Sequence, residues 1–365
     1  MVAGHAFTPT SATGQRFGRE ALNVSVPDRT AFTRLLESPE PSLRWKARVC
    51  ILGESRDSRT VLRIEQDVVR SARVRALLGV RDWLVRPHNG SAVYHKWLGV
   101  QWVLASLADL GYPRGDEGLR PLVDRALRCW TTPYYFVDVD CESKGQARRV
   151  RGVPRIEGRS RRCASQQGNA LHFATALGLT DERCDQFVER LVHWQWPDGG
   201  WNCDKAPSAD TSSFHETWLP MLGLWEYGQL AGRANARSAA LRASEVFLRR
   251  RLFRRETTGE VIRPDFVRLH YPHYWHYDFL AGLKVMAALG RIRDPRCSDA
   301  LDLLEAKQLP DGGWPAEARY YARSDGREGV YAERVDWGGT SGRRWNPWIT
   351  ADALAILQSA GRWAA

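Results

Sequence analysis

One seven-residue turn occurs twice in this chain, as Gln-Trp-Pro-Asp-Gly-Gly-Trp ending at Trp201 and Gln-Leu-Pro-Asp-Gly-Gly-Trp ending at Trp314. Each copy follows a segment with one apolar helical face: Phe187, Val188, Leu191 and Val192 before the first, and Ala300, Leu301 and Leu304 before the second. Pro-Asp-Gly-Gly has strong turn chemistry, so both helices stop there. A repeated helix-plus-turn unit cannot bury its apolar face alone, and points to a fold assembled from like helical units.

A second kind of segment alternates with the first. Stretches 43–53, 94–111, 163–178, 213–228, 274–290 and 345–361 are apolar on nearly all sides and each closes on Gly, as helices ending in a left-handed residue do. All-round apolarity means enclosure by other helices. One-sided helices lie between them, near 58–83, 116–130, 181–195, 235–252 and 295–308. Six enclosed helices alternating with amphipathic ones describe an all-α, single (α/α)6 toroid, an inner ring wrapped by an outer one. An open solenoid is the competing arrangement. No strand-like alternation persists, Pro220 is expected to kink the fourth enclosed helix or mark its start, and residues 1–40 are expected to pack on a ring formed by 41–365.

The repeat turn resembles the QW motif of the squalene-cyclase and protein-prenyltransferase β-subunit superfamily. GNAL at 168–171, DGGWNC at 198–203, SFHETW at 213–218 and YDFLAGL at 277–283 resemble bacterial proteins of that superfamily without an assigned reaction. The resemblance implies the toroid and a terpenoid cyclase- or prenyltransferase-like enzyme. It also implies Zn²⁺: Asp210 and Ser212 stand where the β-subunits have an Asp-x-Cys pair, and His276 stands at the ligand histidine. With no Cys at 212, the expected metal set is Cys163, Cys203, His215 and His276, whose thiolates and imidazoles suit zinc.

From the residues themselves, the first turns of the enclosed helices carry polar groups among aromatics. Tyr94, His95, Trp97, Gln167, Asn169, Trp218, Tyr274 and Trp345 are therefore the candidate substrate-binding set, and His215, Glu216, His276 and Asp278 the candidate catalytic set. The 16 Trp outnumber the 11 Tyr and the 11 Phe, a composition suited to thick aromatic walls. Asp138, Asp140 and Glu142 superficially match the Asp-x-Asp-Asp acid of class II cyclases, with Cys141 where an Asp belongs. The stretch 144–163 that follows is Arg-rich, and the loop 137–162 is expected to be a mobile lid over the pocket, holding a diphosphate or other anion.

A net charge of +11, from 53 Lys and Arg against 42 Asp and Glu, favours acidic partners, though without the aromatic interleaving of a nucleic-acid surface. No apolar run reaches the roughly 18 residues of a membrane span. Seven scattered Cys argue against a disulfide framework and for a reducing cytoplasm. Three functions stand open: an enzyme on an apolar, isoprenoid-like small molecule; a metal-assisted hydrolase or lyase on a polar or glycan substrate; and a non-catalytic binding scaffold. A partner subunit, which prenyltransferases need, has no visible docking surface in the sequence.

Overall fold

The computed structural model describes residues 30–79, 93–323 and 332–365. Of the expected N-terminal extension, residues 1–29 lie outside this set. Six inner helices are present: α2 (Pro41–Trp45, continued as a π-helical turn Lys46–Ile51), α5 (Val100–Asp109), α9 (Ala164–Ala176), α11 (Phe214–Leu230), α13 (Phe279–Ala288) and α15 (Pro347–Ala360). Each packs against an outer helix: α1 (Thr30–Leu36) against α15, then α3 (Arg59–Val69), α6 (Arg120–Trp130), α10 (Glu182–His193), α12 (Ala234–Leu248) and α14 (Ser298–Ala306) against α2, α5, α9, α11 and α13. Residues 30–36, assigned from sequence to an extension, thus form an outer helix of the ring, burying Ala31, Phe32 and Leu35.

The ring closes. Consecutive inner helices pack from α5 through α15, and α15 packs on the π-turn of α2. The last junction, α2 to α5, is made by Lys46 and Asp109, 2.9 Å apart. There Gly111 lies against the Trp45 indole, where a Cβ would fall 2.2 Å from the ring. The fold is an all-α toroid, and the open solenoid is excluded by this closure.

Local chemistry explains the helix ends. The Asp278 carboxylate accepts from the Ala281 amide at the start of α13, and the Asn346 side chain accepts from Trp348 and Ile349 at the start of α15. Gly53, Gly111, Gly178, Gly290 and Gly361 take positive φ after their inner helices, as their placement suggested, whereas Gly228 lies inside α11, which runs on to Leu230 and is followed by Gly232 at positive φ. The two repeat turns are built alike. Gln195 and Gln308 donate to Gly199 and Gly312 carbonyls, and the Trp201 and Trp314 indoles donate to Leu191 and Leu304 carbonyls at 2.9 and 2.7 Å. Each Trp amide is then bound by a Thr hydroxyl of the next inner helix, Thr217 or Thr350.

Four expectations need correction. The inner helices at 94–111 and 274–290 begin later, at Val100 and Phe279, so Tyr94, His95 and Trp97, and likewise Tyr274 and His276, precede their helices. Asp278, as N-cap, ends that irregular stretch. Helix α11 runs through Pro220 from Phe214, so the proline does not mark its start. The stretch 137–162 is not a bare loop but holds β1 (Asp138–Asp140), helix α8 (Lys144–Arg149), β2 (Val153–Ile156) and β3 (Arg159–Ser160). Strand β1 runs parallel and β3 antiparallel to β2, a small three-stranded sheet beside the helical ring.

Candidate functional site

A cavity of about 810 Å³ lies on the ring axis and touches all six inner helices. It is left open by small side chains that the inner helices turn inward: Ala105, Ala108, Ala176, Ala281, Ala288 and Ala355 all line it. Trp45, Trp218 and Trp225 supply aromatic wall. Tyr271, His273 and Tyr274 close one end, where the Asn169 amide nitrogen and the Tyr274 hydroxyl are buried without a hydrogen-bond partner among the described residues. The other end carries exposed Leu230 and two arginines. Arg56 is tied to Glu65; Arg114 makes no salt bridge among the described residues, and burial together with the neighbouring Arg56 lowers its pKa.

Four charges form a closed cycle in this lining. Lys46 Nζ lies 2.9 Å from both Asp109 and Asp352, and Lys284 Nζ lies 2.8 Å from Asp109 and 2.9 Å from Asp352. Tyr271 donates its hydroxyl to Asp109 at 2.6 Å. Burial opposes every one of these charges, but the opposite charges outweigh it: both lysines are held above the usual range, and Asp109 well below its own. Tyr271 is driven up by burial and the two carboxylates. Asp109 is therefore ionised near neutrality and is no proton donor there.

An acid–base pair sits beside the cycle. His172 Nδ1 meets Glu226 Oε2 at 2.6 Å, and both residues line the cavity. Burial disfavours the imidazolium, yet the Glu226 carboxylate more than compensates, so the His172 pKa is raised.

Of the residues singled out in the sequence, Asn169, Trp218 and Tyr274 line the cavity. The others do not, because the open space lies along the later turns of the inner helices rather than their first turns. Trp97 is stacked on Tyr274 at 4.2 Å and bonded to the Tyr320 carbonyl. Gln167 bridges the Trp130 and Tyr135 carbonyls, Trp345 lies under Arg34, and His95 has a buried Nδ1 with no hydrogen-bond partner among the described residues. His276 is sandwiched between Trp275 (4.0 Å) and Tyr320 (3.9 Å), and burial with nearby His270 pushes its pKa down to about 2. His215 packs by Phe266 and Trp275, and burial lowers it to about 4. Asp278 is fully buried, held ionised by His270 and His273 against the cost of burial, and caps a helix; it touches no open space.

The expected metal set is also divided. Cys163 and Cys203 come together with Glu216, their ligand atoms within 4.8 Å of one another, while His215 and His276 are not in that group. Tyr94 lies beside it, its hydroxyl pushed well up by burial and by these three groups.

The Arg-rich stretch is not part of the cavity lining and is pinned by contacts of its own. Asp138 accepts from the Trp194 indole at 2.8 Å and meets His193, Arg155 pairs with Asp140, and fully buried Arg161 donates to the Asp204 and Ala209 carbonyls. Asp138 is thus engaged by the neighbouring helix, Asp140 is exposed, and neither lines the cavity.

Six residues of the cavity went unnoticed in the sequence: Lys46, Asp109, His172, Glu226, Lys284 and Asp352. Three of them, Asp109, Lys284 and Asp352, carried a usable signal. Each is an isolated charge within or at the end of a segment otherwise apolar on all sides, and such a charge must find a partner or an open space.

No protein-family model matches this sequence, and no curated protein matches it. Similar solved structures include a protein from Actinoplanes, 16% identical over 91% of this chain and 98% of that one, with a TM-score of 0.42. Two others are the unsaturated glucuronyl hydrolase of Bacillus sp. GL1 (14%, 87% and 84%, TM-score 0.41) and the type II terpene cyclase MstE of Scytonema (15%, 91% and 97%, TM-score 0.39). Similarity this distant carries neither substrate nor reaction to this chain.

Proposed function

We propose that the chain is an enzyme that binds an amphipathic small molecule, with an isoprenoid-like apolar body and an anionic end, in the axial cavity. The observation that carries this reading is the lining itself: indole and alanine walls, with orphaned polar atoms of Asn169 and Tyr274 at the closed end and unpaired Arg114 at the other. Apolar walls reward an apolar body, buried unpaired donors reward a polar group that reaches them, and a guanidinium rewards an anion. His172 is the acid–base group of this reading. Glu226 holds its Nδ1, leaving Nε2 for proton transfer. Imidazolium is far too weak an acid to protonate an isolated alkene, so the reading favours isomerase, lyase or transferase chemistry over cyclase initiation.

A second reading, a hydrolase or lyase acting on an anionic oligosaccharide, draws support from the density of charge around His172. Both are tested together. Farnesyl and geranylgeranyl diphosphate are titrated against the wild-type protein and against the double variant Leu222→Trp, Ala281→Phe, which obstructs the cavity from two helices, with tryptophan fluorescence as readout. Saturable binding lost in the filled variant supports the first reading. Binding unaffected by filling overturns it. Saturable binding of an anionic oligosaccharide instead, lost on filling, moves the conclusion to the second.

A further inference from the structure

The N-terminal ends of α9 and α11 hold a second constellation, outside the axial cavity and independent of the function proposed for it. Cys163 is the N-cap residue of α9, yet its side chain makes no capping bond. Glu216, from the first turn of α11, does so instead: the Ser165 amide donates to Glu216 Oε2 at 3.1 Å. That bond fixes the carboxylate beside Cys163 and leaves Oε1 for another partner. Cys203 is delivered by the first repeat turn, two residues after Trp201, whose indole and amide are both tied down. Three rigid elements thus bring two thiols and a carboxylate to one point.

We propose that Cys163, Cys203 and Glu216 form a binding site for a thiolate-seeking divalent cation, Zn²⁺, with a fourth coordination position open. The ligand atoms lie within 4.8 Å of one another. A tetrahedral site with Zn–S bonds of about 2.3 Å separates its ligands by roughly 3.8 Å, so slight contraction around an ion completes the geometry. Three protein ligands with a free fourth position is the arrangement of zinc sites that bind water or substrate. The surroundings fit a cation. Gln166, bonded to nearby Tyr94, keeps a buried Oε1 with no partner among the described residues. The other compact cluster, His270, His273 and Asp278, is unlike it: those groups are buried, already bonded to each other, and Asp278 is committed to capping α13.

The test uses the full chain, stripped by chelation under reductant and titrated with Co²⁺ and Zn²⁺. The expected result is one Co²⁺ per chain with a thiolate-to-cobalt charge-transfer band, and protection of two thiols from a disulfide reagent by Zn²⁺. Cys163→Ser and Cys203→Ser each abolish the band, Glu216→Gln weakens Zn²⁺ binding by about tenfold or more, and Cys50→Ser, at a thiol lining the axial cavity, leaves it intact. Should either serine variant fail to fold, protection of wild-type thiols decides. A band that survives both serine variants, no stoichiometric metal uptake, or a Cys163–Cys203 disulfide forming in place of metal uptake overturns the proposal.

Discussion

Lys46 and Asp352 stand 306 positions apart in the chain and 2.9 Å apart in the fold. They join the first inner helix to the last, and with Asp109 and Lys284 they complete a cycle of alternating charge that also reaches α5 and α13. The ring is therefore closed electrostatically as well as by packing, at the wall of its own cavity. Buried charges are costly alone and tolerable only as a satisfied set, so the cycle couples four elements distant in sequence.

Removing one member should expose that coupling. Asp352→Asn leaves two ammonium groups sharing Asp109 and is expected to lower stability by about 3 kcal/mol at neutral pH. The double variant Lys46→Met, Asp352→Leu retains the Lys284–Asp109 pair and is expected to recover more than half of that loss. Denaturant unfolding measures both. A loss below about 1 kcal/mol for Asp352→Asn would show that the cycle does not hold the ring.

Helices α9 and α11 touch backbone to backbone, which only glycine permits. A Cβ on Gly223 would fall 2.3 Å from the Gly168 carbonyl oxygen, and one on Gly168 would fall 2.3 Å from the Pro220 nitrogen. Neither neighbour is a side chain that can swing away. Gly223→Ala should cost about 2–3 kcal/mol by overpacking, whereas Gly145→Ala, with its nearest atom at 3.9 Å, should be close to neutral. Equal melting temperatures for the two variants would refute the contact.

His172 gives a pH signature. Its pKa in the fold lies above the ordinary 6.5 because Glu226 outweighs burial. The protonated form is thus favoured by folding, and its contribution is full below pH 6.5 and lost as pH rises through the folded value. Glu226→Gln removes the compensating charge but not the burial, so the midpoint should fall below that of the wild type. Imidazole proton resonances followed against pH check this, and an unchanged midpoint would rule out the pair.

The elements that repeat or punctuate were legible in the sequence, and the cavity was not. Trp201 and Trp314 announce the turns, and Gly178, Gly290 and Gly361 announce helix ends, because turn and cap chemistry act over a few residues. The placement of the pocket was misjudged because polar first-turn residues such as Gln167 and Glu216 look like a site, while the alanines that make the space look like ordinary helix. His172 and Glu226 could not be paired from sequence at all, since 54 positions and the contact of two helices separate them. The small sheet at 138–160 was hidden by strands of only two to four residues, too short for alternation to register.

Glu333 provides the sharpest test of a buried charge away from the cavity. It is 3% exposed, its Oε1 accepts from the Arg334 and Val335 amides, and its Oε2 has no partner among the described residues. Burial drives its pKa up to about 7 from an ordinary 4.5, against the pull of those amides and of the nearby Trp337 indole. A carboxyl with a raised folded pKa binds its proton more tightly in the fold than in the unfolded chain. Its favourable contribution is therefore present at acid pH and is lost as pH rises from about 4.5 to about 7. Glu333→Gln keeps the shape and cannot ionise. The variant should match the wild type near pH 4 and exceed it by roughly 3 kcal/mol at pH 8, the energy equivalent of that shift. Unfolding free energies measured across this range for both proteins decide the matter, and a difference that does not change with pH would mean that Glu333 is not ionising in a buried site.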